Sequence, residues 1–188
     1  MATMSRIPLP TPETMTAEQR AVYDAMAASA RGGAGGPLLV ALHQPKFADR
    51  LQMLGQHLRF NTKLGMRLSE LVILTVGRRW SSQFVWFVHE PIAKEKGVSA
   101  AVMEDLRHGR RPTFANEDET EVYAYTEELL RTGFVSADVY DRIVKRWGPD
   151  GVVELTGLIG YYCMNSLSIN AHELFPEGVL KPLPALTA

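Results

Sequence analysis

The sequence predicts an all-α protein, on three observations. Apolar residues recur at three- and four-residue intervals along most of the chain, several of these stretches start at a Ser or Thr placed to cap a helix, and no segment carries convincing period-two alternation. At 188 residues, 46% of them apolar, the chain is long enough for one well-buried core with apolar surface left over for an oligomer face. A single domain over 1–188 is expected.

Residues 1–15 read as an extended arm, because Pro8, Pro10 and Pro12 each fix φ and restrict the residue before them. Thr16-Ala-Glu-Gln19 is a capping-box pattern, and Ala21, Val22, Ala25 and Met26 follow it at helical spacing. The helix ends in the run Arg31 to Gly36. That run has no following Lys-Ser/Thr, no preceding strand and no dinucleotide fingerprint, so it reads as a mobile loop and not a phosphate cradle. Pro37 suits the first turn of a short helix through Leu42. From Lys46, the spacing of Phe47, Leu51, Leu54, Leu58 and Phe60 predicts an amphipathic helix. Leu64 to Trp80 is the most apolar helix of the first half, and Ser82 to Lys96 is its antiparallel partner across a very short turn. Pro91 lies inside the partner and removes a backbone donor just after His89, which predicts a bend. Gly97 ends that helix and Ser99 caps the next, Ala100 to Arg107. His108 to Asn116 is a loop, and Glu117 to Arg131 is helical up to Gly133. Ser136 caps a helix through Arg146, and Gly148-Pro149-Asp150 caps a last long helix from Gly151 to about Leu174. Residues 175–188 form an extended, proline-rich tail.

Charge and cysteine usage exclude several function classes. The formal charge is −1 with Lys and Arg interleaved among acids, so nothing electrostatic points to nucleic acid or an anionic membrane. The densest basic cluster, His108-Gly-Arg-Arg111, is short. A lone Cys163 supplies neither an internal disulfide nor a Cys-x-x-Cys pair, which favours a reducing compartment. The first residues have no apolar h-region, and no apolar run reaches the roughly 20 residues of a membrane span. A cytoplasmic protein with no membrane and no nucleic-acid partner is expected. His89-Glu90 and His172-Glu173 are isolated pairs without ligand spacing, so no metal and no cofactor are expected.

The most informative stretch runs from Glu70 to Gly97, because it sets a carboxylate and an imidazole on adjoining apolar helices. Two such groups can share a proton; equally, Glu70 can lie on a solvated face and His89 can be a hydrogen-bonded core histidine. Ser82 fits the N-cap of its helix, and Trp80, Phe84, Trp86 and Phe87 fit a core, an interface or a pocket wall. Tyr161, Tyr162, Asn165, Asn170 and His172 put several polar groups on one apolar helix, where they line a cavity or pair across an oligomer interface.

Glu70, Ser82, Val85 and His89 stand in the register of a Glu, Cys-x-x-Cys, His motif, and Trp86-Phe-Val-His89-Glu-Pro-Ile-Ala93 is followed by Gly97-Val-Ser99. In this the chain resembles the carboxymuconolactone decarboxylase and alkyl hydroperoxidase D-like superfamily, and its decarboxylase-like branch in particular. The resemblance extends from about Met15 to Leu174, with a core region at 40–110, and is specific over Glu70 to Ser99. It implies an orthogonal helical bundle, a homotrimer or homohexamer, and a site in which Glu70 holds or tunes His89 while His89 acts as general acid or base. Substrate-binding candidates are Ser82, Trp86, Arg78 and His57, with Arg67 and Arg79 as further cations near the motif and His43 on a preceding helix. Both redox positions depart from the pattern, being Ser82 and Val85, and Val85 also stands where the decarboxylase-like branch often carries Glu.

Three readings follow. One is a cofactor-free lyase or isomerase acting on a small carboxylated or lactone-like compound in aromatic-compound catabolism. Another is a peroxidase-like disulfide reductase, disfavoured because thiol–disulfide exchange needs thiolates. The third is a non-catalytic helical oligomer that binds a small ligand. On the first reading His89→Ala abolishes turnover with little loss of fold, and Glu70→Gln weakens it.

Overall fold

The local signals for helix ends account for most element boundaries. In the computed structural model, which describes residues 3–29 and 32–186, the order is β1 (Thr3–Met4), α1 (Ala17–Ala27), α2 (Pro37–Ala41), α3 (Pro45–Phe60), α4 (Gly65–Arg79), α5 (Gln83–Glu95), α6 (Ala100–Arg107), α7 (Glu117–Thr132), α8 (Ala137–Ala171) and β2 (Phe175–Pro176). The protein is all-α. Its only strands among the described residues are β1 and β2, which pair antiparallel with Thr3 opposite Pro176 and tie the two ends of the chain together. No helix among the described residues is long and apolar enough to cross a membrane.

The Thr16 capping box forms in full. Gln19 N–H donates to Thr16 Oγ1 at 3.2 Å and Thr16 N–H donates to Gln19 Oε1 at 2.9 Å, an arrangement that contributes about 1 kcal/mol. Ser99 caps α6 in the same sense, and Gly133 closes α7 in the left-handed conformation at φ 78°. Ser136 departs from expectation: its hydroxyl turns to Glu128 of α7 and leaves the α8 N-terminus without a side-chain cap. The two helices expected on either side of Gly148-Pro149 are present within α8 and meet at a kink at Gly148, whose non-helical backbone, with φ 74°, suits a residue without Cβ.

Helix α4 occupies the centre. Residues 68–78 are all buried, as a helix apolar on every side must be. One face (Leu68, Val72, Ile73, Val76) joins the main core with α1, α2, α3, α7 and α8. The other (Leu71, Leu74) joins a second cluster with Trp86 of α5, Met103 and Leu106 of α6, Tyr123 of α7 and Leu183 of the tail. α4 and α5 approach closely: a Cβ on Gly77 would sit 2.9 Å from Val85 Cγ1.

The tail after β2 is a packed strap. Leu183 is buried, its backbone N–H and C=O both bond the Gln83 side chain at 2.9 Å, and Arg107 and Arg78 donate to the Pro182 and Pro184 carbonyls at 2.6 and 3.0 Å. At the other end, Arg6 pairs with Glu173 and the His43 ring bonds the Pro8 carbonyl. Ala30 and Arg31, at the start of the glycine-rich loop, lie outside the described residues.

Candidate functional site

Glu70 sits in the second turn of α4 and is fully buried because neighbours surround that helix. Burying a lone carboxylate is costly, so its partners matter. His89 of α5, 6% exposed, sets Nδ1 2.7 Å from Glu70 Oε2. With the carboxylate ionised, that contact requires the proton on Nδ1, so Nδ1–H donates to Oε2 and a neutral ring is left with its lone pair on Nε2. Tyr162 of α8 stands at Nε2, its hydroxyl 3.3 Å away and its ring edge-on to the imidazole. On the other side, Arg59 of α3 brings Nη2 to 3.6 Å from Glu70 Oε1, a charge contact longer than a hydrogen bond. Four helices thus supply one buried line of groups: Arg59, Glu70, His89, Tyr162.

This line borders a cavity of about 710 Å³. Arg59, His89, Lys96, Tyr161, Tyr162 and Asn165 are its polar wall, while Phe60, Phe84, Val88 and Ile92 supply much of the apolar part, and Gly32 to Gly35 form one side. Glu70 is absent from the wall. The carboxylate stands behind the imidazole, and the imidazole faces the cavity, the order in which a carboxylate orients a proton carrier without touching the molecule it serves. Among the described residues, two cations and no carboxylate line the space, which favours an anionic occupant. Buried Asn165 adds a carbonyl oxygen, Oδ1, with no hydrogen-bond partner.

The four expected substrate-binding residues lie outside this wall. On α5 the cavity face is marked by Val85, Val88, His89 and Ile92, and Trp86 falls off it into the second core cluster, under the Arg107 guanidinium at 5.3 Å. Ser82 sits at the α5 N-cap position, fully buried, with a hydroxyl that makes no capping bond. Arg78 is two turns beyond Glu70 on α4, about 12 Å along the axis, and donates to the Pro184 carbonyl. His57 is two residues before Arg59 and so on the far side of α3, half exposed and 3.8 Å from Glu154. Of the other cations named from sequence, Arg67 is held by Asp118 and Glu119 at 2.5 and 2.6 Å, and Arg79 is exposed.

Arg59 and Lys96 are wall cations that sequence reasoning missed. A cation between Leu58 and Phe60 at a helix C-terminus reads as an ordinary dipole partner, and only the packing of α3 on α4 turns it toward Glu70. The polar run on α8 divides. Tyr161, Tyr162 and Asn165 reach the cavity, whereas Asn170 bonds the Trp80 carbonyl and His172 the Ser168 carbonyl.

Cys163 stands apart from this wall. Its Sγ accepts the Trp80 indole N–H at 3.3 Å, and burial pushes the thiol above its ordinary pKa against the opposing effects of that N–H and of Arg79. Among the described residues, no group of three or more His, Cys, Asp or Glu side chains is placed to hold a metal ion. No model of a known protein family matches the chain, and no curated protein matches it.

Proposed function

We propose that this chain belongs to the carboxymuconolactone decarboxylase and alkyl hydroperoxidase D-like superfamily, in its decarboxylase-like branch and on that family's orthogonal bundle. On this reading it is a cofactor-free lyase or isomerase for a small carboxylated or lactone-like substrate. The observation that carries the reading is the buried 2.7 Å contact between Glu70 and His89, with the imidazole in the wall of a cavity large enough for a small molecule.

The groups have separable roles. Arg59 and Lys96 attract the substrate anion, the apolar wall holds its carbon frame, and His89 Nε2 exchanges a proton with the reacting carbon. In a decarboxylation the C–C bond to the carboxylate breaks, CO2 leaves, the electron pair remains on carbon as an enolate or carbanion, and His89 in its protonated form supplies the proton. In an isomerisation the same nitrogen removes a proton from one carbon and returns it to another. Glu70, hydrogen-bonded to Nδ1, stabilises the imidazolium in either case. Thiol chemistry finds no support: the one cysteine lies outside the cavity wall and its pKa is raised.

We also propose a cytoplasmic homotrimer or homohexamer. Phe47 and Leu54 on α3 and Val153, Met164 and Leu167 on α8 are large apolar side chains left exposed by one copy of the chain.

Incubating small lactone and enol carboxylic acids with the protein in D2O tests the reading. Turnover with one solvent deuteron fixed at carbon, lost in His89→Gln, is expected. Turnover that survives His89→Gln unchanged contradicts it.

A further inference from the structure

Among the described residues, the arginines that are at least partly buried are matched to acids, with one exception. Arg59 has Glu70, Arg67 has Asp118 and Glu119, and Arg107 has Glu90 and Glu104. Arg78 is more deeply buried than any of these, at 4% exposure, yet no carboxylate of the described residues lies within 4.0 Å of it. Its Nη1 donates to the Pro184 carbonyl, while Nε and Nη2 are enclosed without an acceptor. Burial lowers the Arg78 pKa with no opposing charge to restore it. A buried guanidinium in this condition is destabilising until an anion joins it.

Space for an anion exists beside it. Arg78 forms part of the wall of a cavity of about 210 Å³, separate from the one at His89, whose other polar lining is Thr75, Arg79, Arg110, Tyr123 and Glu127. Among the described residues, three guanidiniums meet there against one carboxylate, and Glu127 is drawn toward Arg131 at 3.5 Å. Arg110, from the short basic cluster His108 to Arg111, keeps Asp105 at 2.9 Å and still has donors to share.

We infer that this second cavity is an anion site, in which a phosphate group, free or carried by a small ester, serves as the counterion of Arg78 with Arg79 and Arg110 at its rim. A tetrahedral oxyanion suits donors converging from several elements, and guanidinium forks match its oxygens. Occupancy joins the end of α4, the loop after α6 and the tail at Leu186, and so stabilises the fold by mass action.

Thermal unfolding of the full chain in inorganic phosphate, against chloride of equal ionic strength, tests this. A saturable rise of about 3–6 °C in Tm is expected at ten times the apparent Kd. Glycerol phosphate in place of phosphate reads the source: a matching rise assigns the site to phosphate esters as well, and a rise with phosphate alone assigns it to the free ion. Arg110→Ala, at an exposed position, weakens the apparent Kd about tenfold, and Arg78→Met removes the phosphate response altogether. If Arg78→Met does not fold, the Arg110→Ala result decides. Equal Tm values in phosphate and chloride, or an undiminished phosphate response in Arg110→Ala, overturn the inference.

Discussion

Removing His89 strips Glu70 of its one hydrogen-bonded partner while leaving the carboxylate fully buried, with only Arg59 at 3.6 Å. Breaking a buried pair in this way costs about 3–5 kcal/mol. For a domain of this size that corresponds to a fall of roughly 6–20 °C in Tm. The structure thus assigns His89→Ala a stability cost that the sequence reading did not, since the full burial of Glu70 was open in the sequence. Glu70→Gln keeps the volume and loses only the charge, so about 1–2 kcal/mol is expected. In the double variant the stranded carboxylate no longer exists, and the His89→Ala penalty shrinks. A double-mutant cycle by urea unfolding is expected to give a coupling of about 1.5–3 kcal/mol. Single losses that add to within about 0.5 kcal/mol would refute the claim that these groups form one buried unit.

Three further outcomes follow from other parts of the molecule. Cys163→Ser retains activity, and because the raised pKa keeps the sulfur protonated, alkylation by iodoacetamide begins at a higher pH than for a free thiol; alkylation matching free cysteine at pH 7 contradicts this. Gly77→Ala sets a methyl 2.9 Å from Val85 Cγ1 and destabilises by about 1–3 kcal/mol in denaturant unfolding, whereas a neutral result means that α4 and α5 separate freely. Sedimentation at micromolar concentration gives a homo-oligomer, and Val153→Glu, at a position 70% exposed in one copy, dissociates it; a monomeric wild type removes the assembly proposal.

What was legible in the sequence is what local chemistry controls. The capping box at Thr16, the cap at Ser99 and the left-handed Gly133 are set by residues within a few positions of one another, and the structure realises each. Proximity of Glu70 and His89 was also readable, because a turn of a few residues between two apolar helices makes them antiparallel neighbours. Contacts that depend on how distant helices pack were not. Arg59 reaches Glu70 only because α3 packs on α4, and Ser136 abandons its capping role for Glu128 on another helix. Trp86 and Arg78 lie off the wall of the His89 cavity for a related reason: nearness to the motif along the chain does not fix which face of a helix a side chain occupies. The tail read as extended because of its prolines, yet Leu183 buries its side chain and Gln83 pairs its backbone.

The central claim is that Glu70 fixes the proton on His89 Nδ1 and so presents Nε2 to the cavity. Nitrogen-15 NMR of the histidine rings measures this directly, with His89 assigned by its loss in His89→Gln. At pH values where the ring is neutral, the account predicts the proton on Nδ1, hydrogen-bonded to the carboxylate, and an unprotonated Nε2. A neutral ring carrying its proton on Nε2 would contradict it.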